Sequence, residues 1–192
     1  MRASGVLMHI SSLPGDTGIG TLGREAYKFV DFLKASGQTF WQVLPLCPTS
    51  YGDSPYQSFS TFAGNPYFID FEYLCSDGLL KKSDYSKIKW CDNPEKIDYE
   101  LLYKNRFKVL GKAFSNFDLR NSEYIDFCDI NSFWLDDFAL YMAMKNSFKG
   151  RPWNEWPYDL KTREESSLIN KINELKEDIE FQKFIQYVFF KQ

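Results

Sequence analysis

Apolar residues concentrate at 6–10 (VLMHI) and again at 40–46 (FWQVLPL). Each run is too short for a helix and is bounded by turn residues, so each reads as a short buried strand. The segment between them begins with SSLPGDTGIG, where Pro14 and three glycines mark a loop. Leu22, Ala26, Phe29, Val30 and Leu33 then fall on one helical face, and Gly37 stands where a left-handed helix cap belongs. Strand, loop, amphipathic helix, strand is a βαβ unit. It implies parallel pairing, a right-handed crossover, and ligands at the carboxyl ends of the strands. The loops at 11–20 and 49–67 both leave from those ends.

Further along, FIDFEYL at 68–74 reads as one more strand, with Asp70 and Glu72 on the same face as structural residues. Residues 76–97 are polar and turn-rich. Helical faces follow at Tyr99, Tyr103, Phe107, Leu110 and Phe114, and at Trp134, Phe138, Tyr141 and Met142. RPWNEWP (151–157) reads as a rigid aromatic connector. Leu168, Ile172, Leu175 and Ile179, then Phe181, Phe184, Ile185 and Val188, mark one long last helix. Two strands leave an open sheet edge, and a complete (β/α)8 barrel needs at least ~200 residues, so the pattern reads as the N-terminal part of a larger protein.

Composition narrows the chemistry. A net charge of −3 over 192 residues argues against a nucleic-acid partner, which demands a basic field. No apolar run approaches the roughly 20 residues of a membrane span, and no signal peptide is visible. Cys47, Cys75, Cys91 and Cys128 lack C-x-x-C spacing, and His9 is the sole histidine, which argues against a zinc site. Free thiols fit a reducing cytoplasmic setting. His9 has no partner His or Cys and reads as a satisfied structural histidine. The richest segment is TSYGDSPYQSFSTFAGNPY at 49–67. Its rings, hydroxyls, prolines, glycines and Asp53 suit a sugar, which has apolar C–H faces and a hydroxyl rim.

The segments SGVLMHISSLPG, GIGTLGREAYKFVDFL, WQVLPLCPTSYGDSPYQSFSTFAGNPYFID, DYELLY, WLDDFALYMAMK and PWNEWP together resemble the amylomaltases, or 4-α-glucanotransferases. They occur in the family's order across nearly the whole chain. The resemblance implies an α/β fold, an incomplete (β/α)8 TIM barrel in which residues 1–50 give the first βαβ unit. Residues 51–192 would form an inserted glucan-binding loop and a largely helical subdomain.

The activity implied is transfer of α-1,4-glucan segments between maltooligosaccharides or amylose, as donor and acceptor, with glucose as a further acceptor. The mechanism implied is a retaining double displacement without cofactor or metal. The family's three reacting acids match no position in these 192 residues, so no catalytic residue is assigned and the chain alone is expected to be inactive. An alternative reading is a non-catalytic α-glucan-binding module.

Substrate binding is what the resemblance carries over. Ser54 and Tyr56 match donor-side positions, and Tyr51 and Tyr103 match aromatics of a second glucan groove. Asp53 joins them as a candidate. Each has a structural alternative: Ser54 and Asp53 as turn residues, Tyr103 as core packing.

Overall fold

The computed structural model describes residues 2–50, 52–93 and 95–192. They divide into two compact units, one up to residue 117 with 188–192 and one of residues 118–187. The described residues are mostly helical, with one two-stranded sheet among them.

In the first unit, β1 (Gly5–Leu7) pairs in parallel with β2 (Phe40–Gln42), in the register Gly5↔Phe40, Val6↔Trp41, Leu7↔Gln42. The parallel pairing agrees with the hydrophobic pattern, but both strands are shorter than 6–10 and 40–46. Ile10–Ser12 turns instead into a 3-10 helix. Neither strand is fully buried: Leu7 is 59% and Phe40 61% exposed. The inner face is carried by Trp41, whose ring meets Phe29 edge-on at 4.9 Å and whose Nε1 donates to the Met8 carbonyl at 2.7 Å.

Helix α1 (Arg24–Ala35) connects the strands and buries Ala26 and Leu33, leaving Val30 on the exposed side. Leu22 precedes the helix, with Gly23 at the N-cap. At the other end Gly37 takes φ 70°, the Gly37 N–H donates to the Lys34 carbonyl and the Gln38 N–H to that of Leu33. This is a Schellman cap, and it explains why glycine stands there.

The strand expected at 68–74 does not form. Asn65 caps a 3-10 helix at Pro66–Phe68, and Asp70 caps α2 (Phe71–Ser76) by accepting from the Glu72 N–H at 2.7 Å. Asn before Pro and Asp before an acidic first turn are helix-start signals that outweigh the short apolar alternation. Asp70 and Glu72 therefore lie at a helix start and not on a strand face. The other Asp70 oxygen accepts from Thr21 Oγ1 at 2.6 Å, joining the loop after β1 to α2.

Helix α3 (Tyr99–Ser115) is capped by Asp98, which accepts from the Leu101 N–H. Its buried face is Leu102, Arg106, Val109, Leu110 and Ala113, so the stripe drawn through Tyr103 and Phe114 is offset from the true one. Arg106 is wholly buried. Its guanidinium lies 4.4 Å from the centroid of the Phe71 ring and donates to the carbonyls of Pro66 and Ile69 and, at 3.4 Å, to Thr17 Oγ1.

The second unit is helical. Helix α4 (Ser122–Ser147) begins at the Asn121 cap, and its Ala139, Leu140, Ala143 and Met144 pack with Trp156, Leu160, Leu175 and Ile179. In the 151–157 connector, Trp156 is buried between Tyr141 and Phe148 and donates to the Arg151 carbonyl. The connector contains the 3-10 turn Trp153–Glu155, and α5 (Tyr158–Lys161) follows it. The expected single last helix is two: α6 (Glu165–Glu174) and α7 (Lys176–Lys191). The break falls at Leu175, which leaves helical geometry to bury its side chain in the unit's core.

Asp70 offers a test of the first unit. Asp70→Ala removes a helix cap and orphans the Thr21 hydroxyl, and should destabilise the chain by about 1–2 kcal/mol in urea titrations. Asp70→Asn keeps the cap through Oδ1 and lets Nδ2 donate to Thr21 Oγ1 in place of the carboxylate accepting from it, and should lose less than half of that. Equal losses would contradict the assigned role.

Candidate functional site

The loop from 43 to 65 is held by its own backbone. Thr49 and Ser58 form an antiparallel bridge, the Ser50 N–H donates to the Gln57 carbonyl, and the Asn65 N–H donates to the Leu46 carbonyl at 2.8 Å. At its tip Gly52 has φ 92° and Asp53 has φ 53°. The first favours glycine. The second is tolerated by Asp, whose short side chain bonds locally, at a cost on the order of 1 kcal/mol. Thr49 Oγ1 is 3.4 Å from the Asp53 carboxylate. Ser58 and Ser60 fold the return limb by accepting from the N–H groups of Ser60, Phe62 and Ala63.

The candidate binding residues are placed as follows. Tyr56 is 72% exposed at the loop surface. Ser54 is half-buried, and its Oγ accepts from the Tyr56 N–H at 3.4 Å, so the turn role is present; its hydroxyl donates to no described residue. Tyr103 is 62% exposed and rests edge-on against Phe107 at 5.6 Å, so it is not a core residue. Tyr51 lies outside the described residues. Asp53 both shapes the turn and reaches beyond it. Its charge acts on the hydroxyls of Tyr67 and Tyr99, whose pKa values are raised first by burial and then by Asp53. The Asp53 carboxyl is itself raised by burial.

The structure thus gathers Asp53, Tyr67, Tyr99 and Tyr103 into one neighbourhood. Tyr67 packs against Tyr99 at 6.0 Å and Phe107 at 6.1 Å, and Tyr103 also acts on its hydroxyl. Tyr67 and Tyr99 were not singled out by sequence, although the Asn65–Pro66 helix start directly before Tyr67 signals a fixed orientation. Such a patch offers a carboxylate acceptor, phenol donors and ring faces, the set that a polyhydroxy ligand uses. Among the described residues no group of three or more His, Cys, Asp or Glu side chains is placed to hold a metal ion. No helix among them is long and apolar enough to cross a membrane. All four cysteines are free thiols.

Frame and loop together define an α/β chain that presents hydroxyls and rings on a loop following a parallel strand. The chain belongs to the 4-alpha-glucanotransferase family, whose sequence profile matches residues 8–192. It is 52% identical over 186 residues to a 4-alpha-glucanotransferase of Clostridium butyricum, covering 96% of this chain and 38% of that protein. It is 45% identical over 196 residues to one of Thermus thermophilus, covering 100% and 38%. The chain thus spans about 38% of the length of these curated relatives. Among solved structures it is similar to the amylomaltase of Streptococcus agalactiae in complex with acarbose, with a TM-score of 0.95 and 48% identity over the whole chain and 39% of that one. The amylomaltase of Corynebacterium glutamicum, at 17% identity and TM-score 0.70, shares the fold.

His9 departs from expectation. Its Nδ1 is buried without a hydrogen-bond partner among the described residues, and its ring meets Phe68 edge-on at 5.2 Å. Burial holds its pKa below the ordinary 6.5. Protonation therefore favours the unfolded chain: the neutral imidazole's contribution is complete above about pH 6.5 and is lost as pH falls through the folded value. His9→Gln should flatten the fall in urea midpoint between about pH 7 and 5. An unchanged pH slope would remove His9 from that dependence.

Proposed function

We propose that this chain is the glucan-holding N-terminal part of a cytoplasmic 4-α-glucanotransferase that transfers α-1,4-glucan segments between maltooligosaccharides. The observation that carries this reading is the pair of outward-facing rings, Tyr56 and Tyr103, beside Asp53, in a chain so similar to an amylomaltase that was solved with acarbose. β1, α1 and β2 are the first elements of an incomplete (β/α)8 barrel. The exposed apolar side chains Leu7, Phe32 and Phe40 are consistent with further barrel elements packing there.

Ser54 and Tyr56 meet the donor glucan, the ring against an apolar sugar face. Tyr51 and Tyr103 hold a more distant stretch of the same polymer, with Asp53 accepting from its hydroxyls. The reaction proceeds by retaining double displacement. One carboxylate attacks the anomeric carbon and a second protonates the leaving oxygen. The second then takes the proton of the 4-hydroxyl of the acceptor, a glucan or glucose. These acids belong to parts of the family's length that the 192 residues do not match. What this chain contributes is binding, which fixes the donor and excludes water so that transfer outruns hydrolysis.

The test is calorimetric titration of the chain with maltoheptaose. Tyr56→Ala should weaken binding by something on the order of 1–3 kcal/mol, and Tyr103→Ala by a similar amount. Maltotriose incubated with the chain should stay unchanged. Unaltered affinity in Tyr56→Ala would remove that ring from the site. Formation of longer maltosaccharides by the chain alone would place the reacting acids within it.

A further inference from the structure

Each unit carries one helix flank of strong and opposite charge. On α3, the flank beside the buried face is covered by residues 79–89. Asn105 Nδ2 donates to the Lys89 carbonyl, the Lys112 ammonium to the Asp84 carboxylate and Asn116 Nδ2 to the Leu79 carbonyl. The far side of α3 carries Lys104, Lys108 and Ser115, all exposed, with Phe107 and Gly111 half-buried beside them. Lys104 and Lys108 stand one turn apart, and neither forms a salt bridge among the described residues. On α4, spacings of three and four place Asp126, Asp129, Ile130, Phe133 and Asp137 on one outer stripe. Ile130 is 75% and Phe133 72% exposed. Asp137 is bridged to Arg163, but Asp126 and Asp129 form no salt bridge among the described residues.

Gly111 links the two flanks. It lies inside α3, where glycine is the least favourable residue after proline. Apart from the helix's own backbone, no atom lies within 4 Å of the place its Cβ would take, so packing within the unit does not require a glycine there. The bare backbone instead leaves room for a large side chain arriving from outside, next to Phe107. Charge then limits what can arrive. Two α3 flanks facing each other would set lysine against lysine, and two α4 flanks aspartate against aspartate, and both arrangements are repulsive. Only α3 against α4 brings unlike charges together around apolar side chains. We propose that the α3 flank of one copy of this chain docks on the α4 flank of a second copy, with Phe133 of the second copy seated at Gly111 and Asp126 and Asp129 facing Lys104 and Lys108. A two-fold arrangement makes the same contact twice and closes the pair. The surface includes neither Tyr56 nor Asp53, so the inference is independent of the glucan-binding reading.

The experiment is sedimentation equilibrium of the chain without saccharide, over a range of concentrations, at about 20 mM and about 500 mM salt. The expected result is reversible self-association that weakens as salt rises. Lys104→Glu with Lys108→Glu should abolish it, and so should Asp126→Lys with Asp129→Lys. An equimolar mixture of the two reversed chains should associate again, because each then offers the charge that the other lacks. Gly111→Ala separates docking from folding: it should raise the urea midpoint, since alanine favours the helix, while weakening self-association about tenfold. A chain that stays monomeric at every concentration, or association that strengthens with salt as contact through the apolar side chains Leu7, Phe32 and Phe40 would, overturns the proposal. So does association that survives either charge reversal or Gly111→Ala, or a mixture that stays dissociated. Should a reversed chain not fold, the salt series and Gly111→Ala decide alone.

Discussion

One buried cation organises the first unit. Arg106 is wholly removed from solvent, and taking a guanidinium out of water costs several kcal/mol unless its donors are satisfied. Here two carbonyls, a threonine hydroxyl and the face of Phe71 take up the charge. Burial pushes its pKa down to about 9, with Asp70 and Tyr67 opposing the shift, so it remains charged at neutral pH. Because its partners lie on three segments, this one side chain fixes the glycine-rich loop after β1, the 66–69 turn and the start of α2 relative to α3.

The candidate binding residues inherit that arrangement. Pro66, whose carbonyl Arg106 holds, directly precedes Tyr67, and Tyr67 packs against Tyr99 on α3. Tyr103 leaves α3 less than one turn before Arg106, on the exposed flank. Thr17, which accepts from Arg106, stands on the loop after β1. A polar residue inside the core thus bears on the positions of Tyr67, Tyr99 and Tyr103. Removing the guanidinium would leave the Ile69 carbonyl without a donor, at about 1–3 kcal/mol, and the Pro66 carbonyl with the Ile69 N–H alone.

Much of this was legible in the sequence, for physical reasons that differ by element. The βαβ unit declared itself because Gly37 and the short apolar runs are strong local signals, and the pairing is parallel as expected. The strands came out short because β-structure ends where pairing ends, and only three residue pairs are made. The misread strand at 68–74 shows capping outweighing alternation: Asn65, Pro66 and Asp70 all carry helix-start chemistry. The break at Leu175 has no Gly or Pro to announce it and follows from tertiary packing. At the site, Tyr56 and Tyr103 are exposed, but Tyr67 and Tyr99 join Asp53 through a tertiary approach that no spacing rule shows. Arg106 could have been found, since 102, 106, 109, 110 and 113 form one helical face with a single arginine in it.

Arg106 joins these segments, and amide hydrogen exchange of Arg106→Met against the unaltered chain tests that role most directly. The amides to follow are those of Gly20, Leu22, Phe68 and Ile69, each donating to a backbone carbonyl within this region. The expected result is faster exchange in residues 17–22 and 66–71 together, with the α1 and α4 amides unchanged. Exchange that accelerates in α3 alone, or in neither loop, would contradict it.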